Sequence, residues 1–83
     1  MRTIQADQQF HEFLVMTLER EPDRSMPQRA IYRAAWHDKT LNVDKRHFGP
    51  DTCNMMVHCA ITEEIRRGTV ERIRTPAPII RLR

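Results

Sequence analysis

The sequence predicts a small α+β domain: three helices followed by a C-terminal two-stranded hairpin. Two observations carry that prediction. Apolar residues recur at three- and four-residue steps through three segments before Gly68, and the step changes to about two after it. The length of 83 residues allows a single domain spanning 1–83. A chain this short lies near the lower limit of what one core stabilises without staples or oligomerisation.

The first helix is expected over 7–20, with Asp7 as its N-cap. Phe10, Phe13, Leu14, Thr17 and Leu18 form its apolar stripe, and Pro22 enforces its end. The second is expected over 26–37. Ser25 to Gln28 reads SMPQ, a capping-box pattern with Pro27 in the first turn, where a missing N–H costs nothing. Ala30, Ile31, Ala34 and Ala35 give its inner stripe, flanked by Tyr32 and Trp36.

A short helical turn fits Val43 to Phe48, capped by Asn42 and interrupted by Gly49-Pro50. The third long helix follows over 51–67, with Cys53, Met56, Val57, Ala60, Ile61 and Ile65 inward and Gly68 just past its end. Strands are expected over 69–74 and 79–83. A Thr75–Pro78 loop would set Arg72 opposite Arg81 and Ile73 opposite Ile80. Ile73, Ile80 and Leu82 would then face the helices, and Arg72, Arg74, Arg81 and Arg83 would crowd the other face. Ile31, Ala34, Phe13, Leu14, Val57, Ile61 and Ile73 are expected to share one core.

Charge is placed unevenly. Residues 66–83 hold six arginines (Arg66, Arg67, Arg72, Arg74, Arg81, Arg83) against Glu71 alone, a net +5, whereas residues 1–65 carry a net −2. Like charges directly opposite each other destabilise an isolated hairpin, so such crowding suits a face that meets an anion. Arginine suits phosphate because it stays charged and its fork matches phosphate oxygens. No apolar run approaches the roughly 18 residues that span a bilayer, and the polar N-terminus has no signal-peptide core. Cys53 and Cys59 fall about 9 Å apart along one helix axis, too far to bridge. A reducing, cytoplasmic address and no membrane partner are the expectation.

Three helices followed by a basic hairpin is the order of a winged-helix domain, in which the hairpin is the wing and a helix enters the major groove. PQRAIYRAAW followed by LNVDKRHFG resembles the winged helices of the regulatory factor X type and the C-terminal modules of phage and plasmid primase–helicases. Those carry an aromatic-bearing second helix and then a helix whose start includes a Phe-Gly pair. Ile31-Tyr32, Trp36 and Phe48-Gly49 stand at the matching places. The resemblance implies a nucleic-acid-binding protein, with duplex DNA as partner, acting as a transcription or replication regulator of a phage or mobile element. Pro50 departs from the pattern by breaking the helix where that family continues it.

Two segments therefore compete as the reader of bases. The family pattern points to Lys45, Arg46 and His47; the long helix before the wing would instead present Asn54 and His58, along with Met55 and Thr62. Arg66, Arg67, Arg72, Arg74, Arg81 and Arg83 would contact the backbone.

Other chemistry has less support. His58 and Cys59 are adjacent on a helix and diverge, and no Cys-x-x-Cys pair exists, so neither zinc nor another cofactor is expected. Cys53 and His58 lie about 140° apart around the helix, Glu63 and Glu64 point to different sides, and no Gly-rich phosphate loop is present, so an enzyme is not expected. The rival reading is a protein-binding inhibitor or adaptor that uses the basic hairpin together with Met16, Met55 and Met56. A homodimer would help so short a chain bury apolar surface.

Overall fold

The computed structural model describes the backbone of residues 2–38, 41, 45–74 and 76–83, and the side chains of 8–38, 41, 49–74 and 76–83. Its elements run α1 (Arg2–Glu19), β1 (Ser25–Pro27), α2 (Gln28–His37), α3 (Lys45–Arg67), β2 (Val70–Ile73) and β3 (Ile79–Leu82). Three helices and one small antiparallel sheet in the order β1-β3-β2 make an α+β domain.

The helical stripes meet as their periodicity requires. Phe10, Phe13, Leu14 and Leu18 of α1 pack with Ile31 and Ala35 of α2 and with Cys53, Val57, Ala60 and Ile61 of α3. Val70, Ile80 and Leu82 of the sheet close this core, and Ala34, Tyr32, Trp36, Met56 and Ile65 pack around it. No helix is long and apolar enough to cross a membrane among the described residues.

Helix ends follow local chemistry at some places and tertiary contacts at others. Helix α1 begins at Arg2, so Asp7 lies inside it instead of capping it. The helix stops at Glu19, just ahead of Pro22. At the other end of the chain's longest helix, Gly68 adopts φ 85°, with its N–H on the Ile65 carbonyl and the Thr69 N–H on the Glu64 carbonyl. That pair of bonds is the Schellman closure, and it needs a residue tolerant of left-handed angles. Gly49, at φ 74° and ψ 161°, breaks α3 into two helical pieces, and Pro50 opens the second, one residue ahead of the expected start. Asn42 and Val43 lie outside the described residues, while Lys45–Phe48 are helical.

Two expectations for the sheet are corrected. Ser25–Pro27 is a strand and not a capping box; Pro27 is extended at ψ 139° and makes no side-chain cap for α2. These three residues are instead drawn to β3, where Ser25 lies opposite Arg81 and Met26 opposite Ile80. Pro27 is tolerated because β1 is an edge strand. The tight entry to β1 needs Arg24 at φ 60°, and the Arg24 carbonyl accepts from the Leu82 N–H at 2.9 Å.

The hairpin register also differs by one residue: Val70 lies opposite Leu82, Glu71 opposite Arg81, Arg72 opposite Ile80 and Ile73 opposite Ile79. The loop is longer than expected, which turns every β2 side chain to the other face. Val70 and Arg72 now point inward with Ile80 and Leu82, while Ile73 points outward and leaves the expected core. The observed register buries Val70 completely and sets an acid, rather than a second arginine, opposite Arg81.

Candidate nucleic-acid interface

The slip in register disperses the arginines that the sequence set on one face. Arg81 lies on the outer face, where its Nε and Nη2 donate to Glu71 Oε2 at 3.0 and 2.7 Å. Arg72, two residues from Val70 on the inner face, is half-buried, and its Nε is buried without a hydrogen-bond partner. Arg74 is exposed just beyond β2. Arg83 is exposed at the opposite end of the hairpin, where its N–H donates to the Thr69 carbonyl at 3.0 Å. Arg72 does not face Arg81, so like-charge crowding is absent from the hairpin.

The last turn of α3 carries Arg66 and Arg67, where cations oppose the negative end of the helix dipole. Both lie 3.8 Å from Glu63, and Arg67 also reaches Glu64 at 3.3 Å. Helical geometry sends Arg67 and Glu63 toward α1, into an open cleft they line with His11, Met56 and Cys59. On the opposite flank, toward α2, Asn54 is half-buried and His58 exposed. The His58 Nδ1 lies 3.5 Å from the Tyr32 hydroxyl, which accepts a 2.5 Å bond from Gln28 Nε2. Lys45, Arg46 and His47 lie on the helical turn ahead of Gly49; their side chains are outside the described residues.

A basic surface that sequence reading missed lies on α2. Arg29, Arg33 and His37 recur every fourth residue on the face opposite Ile31 and Ala35, and all three are exposed. Among the described residues no carboxylate pairs with them. The repeat at i, i+4 and i+8 is present in the sequence, on the side of α2 away from its apolar stripe. The Gln28 N–H donates to the Pro78 carbonyl at 2.9 Å, so the first turn of α2 is fastened to the hairpin loop. Arg29 and Arg74 thus belong to the same end of the domain.

The other feature invisible in the pattern is Glu64, buried among the apolar residues of α3. His11 Nδ1 of α1 forms a short hydrogen bond with its Oε2, 53 residues away in sequence. Burial pushes the Glu64 carboxyl up, but hydrogen bonds from His11 and Thr69 and the charges of His11 and Arg67 outweigh it and hold the pKa below its ordinary value. This cluster ties α1 to the C-terminus of α3. Among the described residues no three His, Cys, Asp or Glu side chains are grouped to hold a metal ion. Cys53 is buried and Cys59 exposed, both as free thiols. Comparison with protein-family models, curated proteins and solved structures finds no match to this chain.

Proposed function

We propose that this protein is a small nucleic-acid-binding domain of winged-helix type whose partner is duplex DNA. The observation that carries the reading is the α2 stripe of Arg29, Arg33 and His37, free of acidic partners among the described residues and fastened beside the Arg74 end of the hairpin. Phosphate contacts of this kind supply affinity and register, not sequence choice. The order of three helices and then a hairpin, with a short strand between α1 and α2 joining the sheet, supports the same assignment. On this reading Arg74 extends the basic surface; Arg83 lies at the far end of the hairpin, and Arg66 and Arg81 contribute less because Glu63 and Glu71 lie beside them. Base reading falls to Lys45, Arg46 and His47 or to Asn54 and His58. A regulatory role in transcription or replication, in a phage or mobile element, follows from the resemblance of the middle of the chain.

A salt titration of duplex binding tests this. Affinity should fall steeply with salt, with a slope of about −0.9 per phosphate contacted. Changing Arg29, Arg33 and Arg74 to Ala should weaken binding equally on unrelated duplexes and flatten that slope. A folded wild-type protein that binds no duplex at low salt would overturn the reading. The protein-binding alternative would then lead, favoured by the exposure of Met16 (51%) and Met55 (64%).

A further inference from the structure

We propose that the cleft between α1 and α3 is a thiol-modification site, in which Cys59 exchanges with a small disulfide of amino-acid type whose charged ends meet Glu63 and Arg67. The cleft lies on the α1 side of α3, away from the basic stripe of α2, and its chemistry does not depend on nucleic-acid binding.

Helical spacing sets Met56, Cys59, Ala60, Glu63 and Arg67 on one stripe of α3. His11 of α1 faces that stripe across a space of about 660 Å³, within the roughly 300–1,000 Å³ usual for small-molecule sites. Cys59 is an exposed free thiol on this cleft, whereas Cys53 is fully buried in the core. A reagent in solution can therefore reach only one of the two.

His11 supplies a base. Its Nδ1 meets Glu64 Oε2, and Glu64 is ionised at neutral pH, so the carboxylate accepts and Nδ1 carries the proton. In the neutral ring Nε2 is then the nitrogen with the free lone pair. Cys59, His11 and Glu64 thus follow the order of nucleophile, base and orienting acid. The other charged groups around the His11 ring are Glu12 of α1 and Glu63 and Arg67 of α3.

Glu63 and Arg67 choose the reagent. Arg67 donates to Glu64 through Nη1 at 3.3 Å and is 63% exposed, so the rest of its fork is open to a carboxylate. Glu63 lies 3.8 Å from it, a loose exposed pair that costs little to part. Together they match the ammonium and carboxylate of an amino acid, and Met56 and Ala60 offer apolar contact between.

In the exchange the Cys59 thiol gives its proton to His11 Nε2 and its sulfur attacks one sulfur of the reagent. The S–S bond of the reagent breaks as the bond to Cys59 forms, and the departing thiolate takes the proton back from His11. One disulfide replaces another, so no further oxidant is needed.

Intact-mass kinetics on the full chain test this, with oxidised glutathione as the amino-acid-type disulfide and 2-hydroxyethyl disulfide as a neutral one. One adduct is expected on wild type and none on Cys59→Ser. His11→Asn keeps an N–H for Glu64 but lacks the second ring nitrogen. It should react at least about tenfold more slowly with both reagents at pH 7, the low side of what a positioned base contributes. The wild-type rate should level off once the ring is neutral, and His11→Asn should show no such plateau. Arg67→Met should slow oxidised glutathione several-fold and leave the neutral reagent unchanged. If His11→Asn does not fold, the wild-type plateau carries the test of the base.

Equal rates and pH profiles in wild type and His11→Asn, or a wild-type profile without a plateau, would overturn the base. An equal effect of Arg67→Met on both reagents would overturn the class of reagent. An adduct that forms as fast on Cys59→Ser would overturn the site itself.

Discussion

Glu64 offers the sharpest test of how the helices are held together, because it is 5% exposed and carries its charge among apolar neighbours. Replacing it with Gln preserves shape but removes the charge that His11, Thr69 and Arg67 stabilise. Arg67 is 63% exposed, so its share is small, as for most exposed ion pairs. The His11 contact is the costly change: a hydrogen bond to a charged group contributes about 1.5–3 kcal/mol and a neutral one about 0.5–1.5, so Gln, whose amide can still meet the ring, should cost about 1–2 kcal/mol. Since each kcal/mol moves the midpoint of a domain this size by roughly 4–8 °C, the variant should melt roughly 4–16 °C lower at neutral pH. The pH dependence has a definite sign. The folded pKa lies below the ordinary value of 4.5, so the stabilisation is fully present above 4.5 and is lost as pH falls through the folded value. The gap between wild type and Glu64→Gln should therefore narrow in acid. Urea unfolding of both proteins across that range measures it, and a gap that stays constant or widens on acidification would refute this account of Glu64.

Ile61→Ala should cost about 2–5 kcal/mol, because Ile61 is fully buried where α3 meets the other elements; an unchanged unfolding midpoint would contradict its place in the core. Glu71→Gln should lower stability by only about 0.2–1 kcal/mol, the usual worth of an exposed pair. Freed from Glu71, Arg81 should strengthen duplex binding and steepen the salt slope, by up to about 0.9 for one new phosphate contact. Gly49→Ala should cost about 1–3 kcal/mol, since φ 74° with ψ 161° is open essentially to glycine alone. Space is not the obstacle at Gly49, because a Cβ there would meet nothing within 4 Å. Denaturant unfolding reads that cost directly.

The three helices, the existence of the hairpin and most of the core were legible because each rests on local chemistry. Phe10 to Leu18, Ile31 to Ala35 and Cys53 to Ile61 repeat with the helical period, and Gly68 and Gly49-Pro50 mark backbone angles few other residues adopt. The basic end was equally plain as composition. Only the tertiary structure decided which arginines share a face. Val70 and Ile73 are both apolar and three apart, so either could face inward on a strand, and alternation alone cannot choose between them. Burial of Val70 against the helices and the pairing of Glu71 with Arg81 made the choice, and with it sent Arg72 inward. Strand β1 is three residues long, too short to show a period, and exists because β3 supplies its hydrogen-bond partners. The His11–Glu64 bond was hidden for the same reason: a contact across 53 residues leaves no trace in local spacing, because it forms only once two helices have packed.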